Sequence, residues 1–131
     1  MIVVDTNVMV YLLAGGVNGE AAARLLRDDP VWTAPGILLS ELRNVLVGLV
    51  RAGRLGVDDA LAMHADAEDV LHERVVRVDG GAAMATALAC GLSAYDAEFV
   101  VLARALGVRL ISMDEAILKG APDVAVGLVV G

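Results

Sequence analysis

Cysteine occurs once in the 131 residues, at Cys90. No internal disulfide can form, and no cysteine-based zinc site can be built. Lysine also occurs once, at Lys119; ten Lys and Arg stand against seventeen Asp and Glu, a net charge of −7. A nucleic-acid binder that works by counterion release is basic. Either this chain does not touch nucleic acid, or something else supplies positive charge at the contact. Aromatic residues are as scarce: Tyr11, Trp32, Tyr95 and Phe99 are the whole set. That is too few for a base-stacking platform. Long apolar runs are missing too. The longest uncharged stretch, Gly80 to Tyr95, has 16 residues including three glycines. A membrane-crossing helix needs about 20. The first basic side chain is Arg24 and Asp5 precedes it, so no signal-peptide n-region is present. A soluble, cytoplasmic protein with no membrane partner is the expectation. The two histidines, His64 and His72, are eight apart, roughly 80° around an ideal helix, which is poor geometry for one metal.

What is abundant is apolar: 58% of residues, against 21% charged. This excludes a disordered chain, and residues 1–131 fit one domain able to bury its own core. Apolar runs alternate with helical patterns. Met1 to Asp5, Val31 to Ala34, Arg74 to Val78, Val108 to Met113 and Val124 to Val130 read as strands. Thr6 to Ala14, Gly19 to Asp28, Ile37 to Ala52, Val57 to His72, Gly80 to Cys90, Ser93 to Leu106 and Asp114 to about Lys119 read as helices. In the third helix Leu38, Leu42, Val45 and Leu49 form one stripe. Strands alternating with helices predict right-handed crossovers and a three-layer α/β/α sandwich around a mostly parallel sheet.

In such a fold ligands bind beyond the carboxyl ends of the strands. Asp5, Glu41, Asp96 and Asp114 all fall there, at helix starts. Capping explains each one singly, since an acid at a helix start satisfies free N–H groups and favours the dipole. Ser93 to Asp96 fits a capping-box variant. Asp5 is harder to explain so, because it ends a nearly all-apolar strand where an unpaired charge is costly. If the four face one crevice, raised pKa values or a bound cation must relieve their repulsion. Oxygen donors without Cys or clustered His suit Mg²⁺ or Mn²⁺. Elsewhere, Cys90 reads as core, Glu98 as facing away from Asp96, and Gly15-Gly16 and Gly80-Gly81 as turns rather than phosphate loops. Arg43 reads as an exposed ion-pair arginine or a phosphate contact.

Val4-Asp5-Thr6-Asn7, Ser40-Glu41-Leu42, Ser93-Ala94-Tyr95-Asp96-Ala97 and Leu110-Ile111-Ser112-Met113-Asp114 resemble, in order, the motifs of the PIN domain. The likeness is greatest to the VapC-type toxins of bacterial toxin–antitoxin pairs. It implies a Mg²⁺- or Mn²⁺-dependent endoribonuclease that hydrolyses phosphodiester bonds. Asp5, Glu41, Asp96 and Asp114 become its catalytic, metal-holding quartet. Thr6 and Asn7 match the polar residues after the first acid, and Ser112 the small hydroxyl residue near the last. Glu115 departs from the pattern by adding charge beside Asp114. The likeness also implies a homodimer and a cognate VapB-type antitoxin that offers an arginine to the acids. The apolar stretches Asn44–Val50 and Gly80–Ala94 either lie inside the sandwich or supply interfaces.

Three other functions share this fold class. A receiver-type phosphoacceptor needs paired acids after its first strand and a lysine after a late one; here Asp5 is single and Lys119 is helical. A haloacid-dehalogenase-like phosphatase needs a second aspartate where Asn7 stands. A non-catalytic PIN-like adaptor keeps the fold without cleavage, and incubation with RNA with and without Mg²⁺ separates it from the enzyme.

Overall fold

Ile2-Val3-Val4 forms β1 (Ile2–Val4), and all three residues are buried in the computed structural model, which describes residues 1–131. The chain continues as α1 (Thr6–Ala14), α2 (Gly16–Asp28), β2 (Trp32–Pro35), α3 (Ile37–Arg51) and α4 (Val57–Leu71). Then follow β3 (Val75–Val76), α5 (Gly80–Cys90), α6 (Ala94–Leu106), β4 (Leu110–Ser112), α7 (Glu115–Gly120) and β5 (Ala125–Gly127). The five strands form one sheet in the order β3-β2-β1-β4-β5, and every neighbouring pair is parallel. β1 is central, with Val3 beside Leu110 and Val4 beside Ile111. Parallel strands covered on both faces are largely apolar; among β1, β2 and β4 the hydroxyl residues Thr33 and Ser112 are the exceptions, and both are buried.

The helices form the outer layers. α1, α3 and α4 pack on one another, while α6 lies against β1, β2 and β4. Right-handed crossovers that run first toward β3 and then back toward β5 place these two groups on opposite faces. The core joins Trp32, Phe99, Leu38, Leu42 and Leu110 to the β1 residues. Each buried aliphatic or aromatic side chain there contributes roughly 1.5–3 kcal/mol. α1 and α2 pack as a tight pair because Gly19 meets Tyr11: a Cβ at Gly19 would lie 2.6 Å from the Tyr11 carbonyl oxygen.

Several local expectations are corrected. α2 begins at Gly16, and the strands end earlier than their apolar composition does, since a ladder stops where its partner stops. The buried stripe of α3 is Leu38, Leu42 and Leu46, an i, i+4, i+8 row. Val45 turns toward the acids instead, and Leu49 is half-buried. α5 is not internal: only Ala83 is buried, and Met84 and Leu88 are 64% and 86% exposed. Cys90, at its end, is therefore half-buried rather than core, with Sγ 3.9 Å from the Arg104 guanidinium. No single helix is long and apolar enough to cross a membrane.

Candidate active site

The strand order reverses between β1 and β4, because the chain runs outward to β3 before it returns to β4 and β5. That reversal opens a crevice beyond the carboxyl ends of β1 and β4, the usual ligand site of an open parallel sheet. It also differs from the 2-1-3-4-5 order of receiver domains. Asp5 leaves β1 at this point and Asp114 follows β4. Glu41, in the second turn of α3, and Asp96, in the first turn of α6, approach the crevice from helices that follow other strands. All four line one pocket of about 130 Å³ together with Thr6, Asn7, Val45, Phe99 and Ile117. No Lys, Arg or His is among them.

Capping and convergence turn out to be the same feature. Asp5 Oδ1 accepts from the Val8 N–H at 2.9 Å and Asp114 Oδ1 accepts from the Ile117 N–H at 3.0 Å. Each carboxylate is thereby fixed at the start of its helix with its second oxygen turned elsewhere. The second oxygen of Asp5 accepts from the Ser112 hydroxyl at 2.5 Å. That hydroxyl in turn accepts from the Asp114 N–H at 3.0 Å. Ser112 is fully buried and links the first acid to the backbone of the last. Thr6 donates to Glu41 Oε1 at 2.7 Å and ties α1 to α3. Ser93 caps α6 by accepting from the Asp96 N–H, which leaves the Asp96 carboxylate with no protein donor.

Burial pushes the Asp5 carboxyl above the ordinary aspartate range. The charges of Asp114 and Asp96 add to this, and the hydrogen bonds from Ser112 and Val8 oppose it. Asp96 is also raised, first by burial and then by Asp114 and Glu41. The pocket therefore stores unrelieved negative charge, as a perturbed functional site does. By chemistry its carboxylate oxygens suit a hard divalent ion. In the present side-chain arrangement no three of the groups converge at ligating distance. Asp5, Glu41 and Asp114 each hold a neutral donor instead. The oxygens left without a protein donor are both of Asp96, Oε2 of Glu41 and Oδ2 of Asp114.

Every residue singled out from the motifs falls in or directly beneath this pocket; Ser112 is the one beneath. Glu115 does not: it is exposed and pairs with Lys119, so its charge points away from Asp114's pocket. Glu98 is absent from the pocket wall, in line with its place two positions from Asp96; burial, and then the charge of Glu41, raise its carboxyl above the ordinary range. Val45, expected in the core stripe of α3, and Phe99 and Ile117 are apolar residues of the wall that lie outside the candidate site residues. Their spacing marks them, since Val45 follows Glu41 by four and Phe99 and Ile117 follow Asp96 and Asp114 by three, on the same helical faces. These apolar side chains are what desolvate the acids. His64 is half-buried and bonded to Arg43 and Glu68, and His72 is exposed at the end of α4. Arg43 forms no ion pair.

The family model of the PIN domain matches residues 2–121. No curated protein matches the chain. Among solved structures, a protein of Pyrobaculum aerophilum superposes with a TM-score of 0.78 at 18% identity, over 97% of this chain and 83% of that one. FitAcB from Neisseria gonorrhoeae superposes with a TM-score of 0.70 at 21% identity, over 97% and 96%. A toxin–antitoxin complex from Klebsiella pneumoniae gives 0.69 at 18% identity, over 96% of each chain.

Proposed function

Because the chain belongs to the PIN domain family, we propose that residues 1–131 act as one Mg²⁺- or Mn²⁺-dependent endoribonuclease domain, the toxin of a toxin–antitoxin pair. One observation carries the reading: four carboxylates from the caps and first two turns of four helices line a single pocket at the switch point, and no cation of the chain is in its wall. Similarity to a toxin–antitoxin complex supports the biological role.

Asp5, Glu41, Asp96 and Asp114 hold the ion. When bound, it polarises a phosphoryl oxygen, lowers the pKa of water toward neutrality and supplies the positive charge that the composition lacks. Ser112 and Val8 fix the orientation of Asp5, and Thr6 fixes that of Glu41. Val45, Phe99 and Ile117 exclude water from one side and so strengthen every charge interaction in the pocket. Asn7, exposed beside the acids, is placed to meet the substrate strand.

Two partners follow. A cognate VapB-type antitoxin inhibits by inserting an arginine, whose guanidinium gains charge-assisted hydrogen bonds from the acids and competes with the ion. A second copy of the chain covers the exposed apolar face of α5 around Met84 and Leu88, making a cytoplasmic homodimer. Light scattering that gives the mass of one chain at micromolar concentration would overturn the dimer.

The test of the activity is incubation of the purified chain with total RNA in Mn²⁺, in Mg²⁺ and in EDTA. Cleavage with either ion and none in EDTA is expected. Cleavage that persists in EDTA overturns the metal-dependent reading. A second reading, a non-catalytic adaptor of the same fold, is favoured by the lack of three converging acids. Intact RNA under all three conditions would establish it.

A further inference from the structure

We propose that Arg43 is a positioning contact for a phosphate of the RNA strand, held ready at the pocket end of α3 by Ser40 and His64. This rests on the nuclease reading above. Arg43 lies two residues after Glu41, about 200° away around the helix. Its side chain therefore leaves α3 on the side away from the acids, and it does not line their pocket. It runs back toward the start of α3, where Nη2 donates to the Ser40 hydroxyl at 3.2 Å. Nη1 lies 3.3 Å from His64 Nε2. His64 Nδ1 is in turn 3.2 Å from Glu68 Oε1. With the proton on Nδ1, His64 donates to Glu68 and accepts from Arg43.

The partners are what point to a ligand. The chain's other basic side chains are neutralised, spent on the backbone, or held by no partner, as are Arg24, Arg27, Arg51, Arg54 and Arg77, which make no side-chain hydrogen bond or ion pair. Arg104 pairs with Asp123, Arg109 with Asp29 and Lys119 with Glu115. Arg74 is spent on the backbone carbonyls of Trp32 and Val70. Arg43 is instead held by a hydroxyl and an imidazole, with no carboxylate against it, so no acid cancels its charge. A guanidinium has five N–H donors, and only two are engaged here. The side chain is exposed. A planar, charged, partly satisfied fork matches a phosphodiester oxygen pair. Held on the other face of α3, it can grip the strand without neutralising the acids.

The test is fluorescence anisotropy of labelled single-stranded RNA with the Asp5→Asn chain in Mg²⁺, at salt concentrations from 50 to 200 mM. Each phosphate contact to a single strand adds about 0.7 to the slope of log affinity against log salt. Arg43→Ala is expected to lower the slope by that amount. Across the fourfold range its affinity then falls about 2.6-fold less than that of the parent. Arg43→Lys keeps the point charge and is expected to keep the slope. Arg51→Ala makes the same charge change in the last turn of α3, about 12 Å further along the axis, and is expected to leave the slope unaltered. An unaltered slope in Arg43→Ala, or an equal loss in Arg51→Ala, overturns the assignment of Arg43 and leaves the nuclease reading standing. RNA that fails to bind the Asp5→Asn chain at any salt overturns this proposal, whereas the nuclease reading stands or falls on cleavage of total RNA by the unaltered chain with and without the ion.

Discussion

One helix, α3, builds two regions of opposite character. Its first turns give Glu41 and Val45 to the acidic pocket of about 130 Å³. Its other side, Leu46, Val47 and Val50, faces Val57, Ala60 and Leu61 of α4 across a groove of about 420 Å³. Arg43, Arg51 and His64 lie along that groove, and no acid does. The larger and more apolar cavity is thus not where the displaced carboxyl groups are. Size and apolar lining favour the groove as a binding site, whereas perturbed titration marks the pocket as the place for chemistry. α3 also keeps Glu41 and Arg43 on different faces, so the two charges do not cancel in an internal ion pair. The pocket gives up stability for charge, and the groove floor supplies stability.

That contrast predicts that pocket substitutions alter rate and that groove-floor substitutions alter folding. The largest effect belongs to Asp5→Asn. Asparagine still accepts from the Val8 N–H, so α1 keeps its cap. The charge that helps hold the ion is lost. Loss of a mere outer-shell partner costs about 10–100-fold, so the fall in RNA cleavage is expected to exceed about 100-fold, with the circular dichroism spectrum unaltered. Residual activity near the wild-type value would break the contrast at its strongest point.

Leu46→Ala acts the other way. Leu46 is 5% exposed and sits in the core beneath the groove. Truncation of a buried leucine costs about 2–5 kcal/mol, and the open groove on one side places this one near 2–3 kcal/mol. Denaturant titration is expected to show that loss, while the cleavage rate per folded molecule stays unaltered. Ser112→Ala falls between the two classes. It removes the hydroxyl that joins Asp5 to the Asp114 N–H, so cleavage or Mn²⁺ affinity is expected to drop by about 10–100-fold. It also leaves the Asp114 N–H without its partner, which costs about 1–3 kcal/mol. An effect on stability alone would make Ser112 a purely structural residue.

The order of elements is legible in the sequence because each apolar run ends at a glycine, proline or carboxylate. Gly91 and Gly107 stop α5 and α6 in left-handed conformations that a side chain disfavours. Strand lengths are less legible. Val108 to Met113 is apolar enough for six residues of strand, yet β4 keeps three, since it pairs with β1 and β5 and each of these is three long. The four acids are legible because parallel βα units put helix starts at one edge of the sheet. The Ser112 relay and the α3–α4 groove are not. Each depends on how helices distant in sequence settle against one another, which is decided by side-chain volumes rather than by local pattern.

The smallest effect on stability, and the one that separates charge from structure, belongs to Asp96→Asn, which as the loss of an ion-holding acid is also expected to abolish cleavage. The Asp96 carboxylate accepts no hydrogen bond from the protein, so the change removes repulsion and no contact. Its folded pKa lies above the unfolded value of 3.8, through burial and through Asp114 and Glu41. Between 3.8 and the raised value the folded chain binds more protons than the unfolded chain, so this group's contribution to stability falls as pH rises. In EDTA the variant is therefore expected to be the more stable at pH 7. Discounted for solvent screening, the gain is about 0.5 kcal/mol, or about 2 °C in Tm. The difference from wild type should shrink as pH is lowered toward 3.8, where both states of the wild-type group hold the proton. Saturating Mn²⁺ should invert the order, because an ion that binds only the folded state stabilises it in proportion to its affinity and the variant has lost a ligand. A variant less stable than wild type in EDTA at pH 7 would show that Asp96 supports the fold, and would move the pocket's excess charge from function to architecture.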